Sequence, residues 1–175
     1  MKKHIDLWEY AGQILEQVGT AALVTTKADD QVNTMTIGWG MLGVEWKKPL
    51  FTVFVRQSRH TKTLLDKSGE FTINIPLKGM DRKQALGICG SKSGRDMDKI
   101  KALGLHLEEP ESISVPGIKE FPLTLECRVV YKQDQDLSAL EEEKRLRYYK
   151  PGTHDDGDFH TAYYGEILAA YIIED

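Results

Sequence analysis

The sequence predicts a mainly β fold: an antiparallel barrel, closed or nearly closed, with helices added around it. Three observations carry that expectation. Runs rich in β-branched and aromatic residues recur from residue 21 to residue 173. Turns or single helices separate them, without regular βαβ alternation. The early strand-to-strand connections are too short for the crossovers of a parallel sheet.

The elements follow in order. Leu7, Ala11, Ile14, Leu15 and Val18 recur at helical spacing and predict a first helix ending at Gly19. Residues 21–26 and 32–38 read as a hairpin around the polar turn Ala28-Asp29-Asp30-Gln31. Residues 50–56 read as a buried strand. Ser58-Arg59-His60-Thr61 reads as a helix entry, followed by a short helix over 62–67. Residues 71–75 alternate and stop at Pro76. Residues 80–89 read as a helix with Ala85, Leu86 and Cys89 on one side, and Asp96 is expected to open another carrying Ile100, Leu103 and Leu105. Residues 123–131 and 162–173 give the two longest strand signals. The polar stretch 134–158 lies between them, with a helix expected over 137–146 and a break at Lys150-Pro151-Gly152.

The 175 residues fit one domain spanning 1–175, long enough for a real core. A net charge of −4 argues against general affinity for nucleic acid or an anionic membrane, so any basic site must be local. No apolar run approaches the roughly 20 residues of a membrane span, and the first ten residues lack the apolar centre of a signal peptide. Two cysteines in unlike contexts, Cys89 and Cys127, speak against a disulfide framework and for a reducing cytoplasm. They read as buried small hydrophobes. His4, His106 and His154 have no partners at ligand spacing, and H-E-x-x-H, C-x-x-C and G-x-S-x-G are all missing. No metal site and no serine triad is therefore expected.

Four segments carry candidate chemistry. Cys89-Gly90-Ser91-Lys92-Ser93-Gly94-Arg95 packs glycines, serines and cations ahead of a helix start, where free backbone N–H groups and the helix dipole favour an anion. Its residue types suit a phosphate monoester, though its spacing is neither that of a P-loop nor G-x-G-x-x-G. Arg56-Gln57-Ser58-Arg59-His60-Thr61 repeats the pattern; capped helices with solvated cations look the same. Asn33-Thr34-Met35-Thr36-Ile37-Gly38-Trp39-Gly40 is a half-polar strand ending in glycines, which lets backbone approach a flat ligand. His160, just before the last strand, is placed to give or take a proton near neutral pH.

Taken in order, five motifs resemble the flavin reductase-like family of FMN-binding split barrels, in particular its flavoredoxin-like branch. They are Asn33 to Trp39, Val55 to Thr61, Phe71-Thr72-Ile73-Asn74-Ile75-Pro76, Ser93 to Lys99, and Asp158-Phe159-His160 with Gly165-Glu166-Ile167. The resemblance runs from about residue 18 to the end. It implies a six-stranded split β-barrel with Greek-key connections and peripheral helices. It also implies a homodimer with one non-covalent FMN per subunit near the interface. Asn33, Thr34, Met35, Thr36 and Ile37 would follow the ribityl chain and ring edge, with Trp39 stacking on the ring or guarding it. Arg56, Ser58, Arg59 and Thr61 would meet the phosphate or its neighbourhood; Ser91, Ser93 and Arg95 would complete its cradle, assisted by Lys99. His160 would be the catalytic candidate near the ring or the nicotinamide approach. The implied activity is hydride transfer from NADH or NADPH to FMN, with electrons passed to a small-molecule or protein acceptor. The alternative is an electron carrier without a nicotinamide site. The sequence departs from plain flavin reductases where Phe159 separates Asp158 from His160, and in the long connection back to Tyr131.

Overall fold

The computed structural model describes residues 1–20, 22–153 and 156–174. Ala21, the expected strand start, lies outside the described residues, as do His154, Asp155 and Asp175. Ten strands are described: β1 (Lys2–His4), β2 (Ala22–Ala28), β3 (Gln31–Ile37), β4 (Gly40–Glu45), β5 (Lys48–Arg56), β6 (Glu70–Ile75), β7 (Leu107–Glu108), β8 (Gly117–Ile118), β9 (Leu123–Asp134) and β10 (His160–Ile173). The helices are α1 (Leu7–Val18), α2 (His60–Ser68), α3 (Lys83–Ser91), α4 (Lys99–Leu103) and α5 (Glu142–Tyr148). One antiparallel sheet runs β3-β2-β6-β9-β10-β5-β4, and β1 joins β10. The short pair β7–β8 stands apart.

The six strands expected from sequence are all in the main sheet, and β1 and β4 are additions. β10 organises the barrel. It pairs with β9 along one edge, and with β5 and then β1 along the other. Register shifts at Tyr164/Gly165 and Ile167/Ala169 bend it. At Gly165 a Cβ would lie 2.5 Å from the buried Phe71 ring, so glycine is required for the strands to close over that ring. Among the described residues no ladder joins β3 to β4, so the sheet wraps but stays split between them.

Alternation sets two faces. Val24, Ile37, Phe51, Val53, Phe71, Ile73, Leu125 and Tyr163 fill the barrel, and α1 adds Ile14 and Val18. On the opposite face Leu23 packs with Cys89, Leu105, Ile118 and Phe121 under α3 and the 105–122 loop. Next to them lies a buried polar stripe. Thr25 donates to Asn74 Oδ1 at 2.8 Å, and Thr72 donates to Pro116 O at 2.9 Å. Glu126 accepts from the backbone of Glu111 and Ser112 and from the Tyr171 hydroxyl. Thr25, Thr72 and Glu126 are thereby matched, and the loop is fastened to the sheet.

Three boundaries differ from the sequence expectation. The helix expected from Asp96 starts at Lys99, because Asp98 takes the N-cap and accepts from Lys101 N at 3.0 Å. Cys89, Gly90 and Ser91 belong to the end of α3 and not to an open loop; Ser91 Oγ donates back to Gly87 O. The helix expected over 137–146 is a 3₁₀ turn at Leu137–Ala139, capped by Asp136, followed by α5.

α2 is tied to the barrel through Asp66, whose carboxylate accepts from Lys62, Lys132 and the Tyr163 hydroxyl, each at 2.8 Å. Burial pushes this carboxyl up, but the hydrogen bonds from Lys132, Lys62 and Tyr163 outweigh it and bring it to about 2. A depressed carboxyl stabilises the fold above its unfolded value of 3.8 and loses that contribution as pH falls through about 2. Asp66→Asn is therefore expected to cost about 1 kcal/mol at pH 7, given the partial exposure of the cluster. The difference in melting temperature from the parent should shrink steadily between pH 4 and pH 2 in thermal denaturation.

Candidate functional site

β3 is an edge strand, so one of its backbone edges has no strand partner. Three cavities lie along it. One, of about 650 Å³ at the 31–33 end, is lined by Asp29, Asp30, Asp96 and Asp98 among others and shares Arg95 and Lys99 with a neighbouring cavity; the other two meet at Met35. The first of these two, of about 220 Å³, is lined by Met35, Thr36, Ile37, Gly38, Trp39, Phe54, Arg56, Arg59, Gly90 and His160. The second, of about 210 Å³, is lined by Asn33, Met35, Arg59, Thr61, Ser91, Ser93, Arg95 and Lys99 among others. Met35, Arg59 and Gly90 line both, so the two form one elongated cleft. Together they fall in the range of about 300–1,000 Å³ typical of small-molecule sites.

The second cavity is cationic. Lys99 is 4% exposed, and its ammonium reaches only Cys89 O at 3.5 Å and Lys92 O at 3.2 Å. Among the described residues no carboxylate pairs with it, and none lines the cavity. Burial pulls the Lys99 ammonium down from its ordinary value, the neighbouring Cys89 thiol pushes it up, and Arg59 lowers it further. Arg95 is aimed by its own bonds: Nη1 donates to Ser58 O at 2.9 Å, and its backbone N donates to Ser93 Oγ at 3.1 Å. Asn33 Nδ2 donates to Thr61 Oγ1 at 2.9 Å, locking β3 to the start of α2. Gly94 is required here, since a Cβ would lie 2.0 Å from Asn33 Oδ1. The Arg59 N-cap makes no side-chain hydrogen bond, so the positive end of α2 opens beside these cations. An electropositive, carboxylate-free recess of this kind suits a small anion.

The first cavity is walled by aromatic rings. Trp39 lies 4.7 Å from the His160 ring and 5.1 Å, edge to face, from Tyr148. His160 is buried, and its Nδ1 meets the Tyr149 hydroxyl at 2.5 Å. That hydroxyl donates to Gln135 Oε1 at 2.8 Å, which assigns the imidazole proton to Nδ1 and leaves Nε2 as an acceptor. Burial and then the Arg56 cation lower the His160 imidazole to about 4, with Asp158 opposing them and Arg59 adding to them, so the ring is neutral at pH 7.

The structure thus gathers Asn33, Met35, Thr36, Ile37, Trp39, Arg59, Thr61, Ser91, Ser93, Arg95, Lys99 and His160 around one cleft. Three expected residues behave differently. The Thr34 side chain turns to the opposite face of β3, meeting Thr25 Oγ1 and Val24 O, because strand alternation sends it away from its neighbours Asn33 and Met35. Arg56 lines the ring-side cavity and not the cationic one; it donates to Tyr148 O at 2.9 Å and Asp158 O at 3.1 Å, and lies over the Tyr149 ring. Ser58 borders the cationic cavity, but its N–H and hydroxyl are taken by the Asp158 carboxylate at 2.8 and 2.7 Å. These bonds fasten Tyr148 and Asp158 beside the cleft. His60, within the Arg56-to-Thr61 motif but not among the residues the sequence marks as binding, also lines the cationic cavity.

A protein of Archaeoglobus fulgidus described as uncharacterized is 33% identical over 101 residues, covering 58% of this chain and 55% of that protein. The match thus spans little more than half of that relative. A flavoredoxin from Methanosarcina acetivorans is 30% identical with a TM-score of 0.63, over 88% of this chain and 68% of that one. An FMN-binding domain of a flavin reductases-like enzyme from Shewanella baltica is 20% identical with a TM-score of 0.68, over 98% of this chain and 77% of that one, and shows the shared fold. Residues 18–175 match the model of the flavin reductase like domain, and with a match over most of its length the chain belongs to that family.

Proposed function

We propose that the cleft binds FMN and that the protein is a flavin-dependent oxidoreductase, taking a hydride from NADH or NADPH and passing electrons to a further acceptor. The observation that carries this reading is the buried Lys99 ammonium in a recess with Arg59 and Arg95 and, among the described residues, no lining carboxylate. A phosphate dianion is the chemical complement of that recess. The adjoining cavity, with Met35, Trp39 and His160, suits a flat ring. When bound, the flavin supplies reversible hydride and electron chemistry, so the protein needs no metal or triad.

In this reading Lys99 and Arg95 neutralise the phosphate, with Arg59 at the junction of the two cavities. The unpaired edge of β3 offers backbone donors and acceptors to the ring edge and ribityl chain. Trp39 covers one side of the ring cavity and limits water. His160, fixed by Tyr149, presents neutral Nε2 as an acceptor near the reacting face. Cys89 and Cys127, both free and buried, suit a reducing cytoplasm. No described helix is long and apolar enough to cross a membrane.

A second reading has a specific observation behind it. Arg56 and Ser58 hold Tyr148 and Asp158 beside the ring-side cavity, where Tyr148 packs edge to face on Trp39 and narrows the approach for a second flat ligand. This favours an electron carrier reduced by a protein donor. A dimer is proposed as well. Met41, Val44, Trp46 and Tyr131 are exposed, Trp46 and Lys47 hold positive φ at the β4–β5 turn, and the Trp46 indole meets the Tyr131 ring edge to face at 6.4 Å.

Three outcomes are expected. Lys99→Met and Arg95→Ala should weaken FMN binding roughly ten- to hundredfold, as loss of a charged hydrogen bond implies, while riboflavin binding stays unchanged; equal FMN affinity in both variants and the parent would count against the assignment. Anaerobic mixing with NADH or NADPH should bleach the flavin absorbance within seconds; bleaching by dithionite alone would favour the carrier. Sedimentation should give a dimer that Trp46→Glu converts to monomer, and a parent that sediments as a monomer would remove the dimer.

A further inference from the structure

Three buried side-chain polar atoms among the described residues have no hydrogen-bond partner, and two of them are the ring nitrogens of His60. A buried polar atom without a partner in the chain is costly, and where it faces a cavity a group from outside the chain can complete the set. The His60 ring lines the cationic cavity together with Arg95 and Lys99. The partly buried ring packs against the 92–98 loop: a Cβ on Gly94 would come within 3.0 Å of His60 Cδ2 and 2.0 Å of Asn33 Oδ1.

We infer that His60 is a direct ligand of the anion in this cavity, and that it takes up a proton from solvent as the anion enters. The donor inventory gives the reason. A neutral imidazole carries one N–H, so it matches one of its two orphaned nitrogens to an anion and leaves the other a bare lone pair beside the same negative charge. The imidazolium donates from both. In the absence of an anion the surroundings oppose that charge: burial lowers the His60 imidazole first, and the Arg95 and Lys99 cations lower it further. Lys92 and Arg59 also line the cavity, and no carboxylate does among the described residues. A dianion reverses the sign of the local field. Binding at neutral pH then draws in part of a proton, and affinity rises as pH falls through the anion-bound value of the imidazole. The identity of the anion as a flavin phosphate rests on the proposed function; the proton linkage does not.

The test is calorimetry of FMN binding at pH 7 in buffers of different ionisation enthalpy, with the parent and His60→Gln. The phosphate monoester titrates near neutrality itself, and because both proteins share that contribution the difference isolates His60. The parent is expected to take up a measurable fraction of a proton more than the variant, and to bind FMN more tightly at pH 6 by several-fold relative to the variant than at pH 8. Equal uptake in two proteins that both bind would overturn the inference. If the parent binds no flavin, or the variant fails to fold, the His60 ring of the parent is followed by NMR with and without inorganic phosphate. An upward move of its titration midpoint with phosphate sustains the inference while the flavin reading falls. A midpoint that stays in place overturns the inference whichever ligand is native.

Discussion

The site depends on the gap between β3 and β4. Had those strands paired, the barrel would have no edge, and the backbone of Asn33 to Ile37 would be spent on a ladder. The gap is built in by the short Gly38-Trp39 link, which carries the chain from one end of the sheet path to the other. Every feature of the cleft is then a neighbour of that open edge. α2 begins beside it, α3 ends beside it, and β10 starts beside it with His160.

Charge distribution follows from the same geometry. A chain that is net acidic concentrates Arg59, Arg95, Lys92 and Lys99 around one recess, and buries Lys99 among backbone carbonyls. Carbonyl dipoles partly compensate a buried ammonium but do not neutralise it. At Asp66 and Glu70 the pattern differs: Lys62 and Lys132 share Asp66, and Arg128 meets Glu70. A buried ammonium matched only by carbonyls is set apart from such carboxylate-paired cations, and in the proposed reading an anion completes its compensation.

The long strands and the first helix were legible because burial enforces a period: residues 71–75 and 123–131 alternate between the core and the polar stripe. β1 and β4 were not, since Lys2-Lys3-His4 is wholly polar and β4 is interrupted by Gly43 and largely exposed. The cationic residues of the cleft were readable from anion-binding residue types next to helix starts. The fate of Thr34 was implicit in strand alternation, which turns its side chain away from those of Asn33 and Met35 and onto the face of Thr36, whose hydroxyl donates to Leu86 O. The bonding of Arg56 and Ser58 was not readable. Their partner, Asp158, lies 100 residues on from Ser58, and only the folded chain brings it near. His60 sat in full view between Arg59 and Thr61, but a histidine there looks like any helix-start residue until its nitrogens are seen to lack partners.

The open edge of β3 has one more consequence. An unpaired strand edge is a template on which another chain can add, and long flat edges nucleate aggregates. Here Arg59, Arg95 and Lys99 stand along the cleft beside that edge, and a second copy arriving there would bring its own set against them. In the proposed reading the cations that attract the anion therefore also oppose a second β3, and a change that removes them to abolish one effect would also remove the guard against the other.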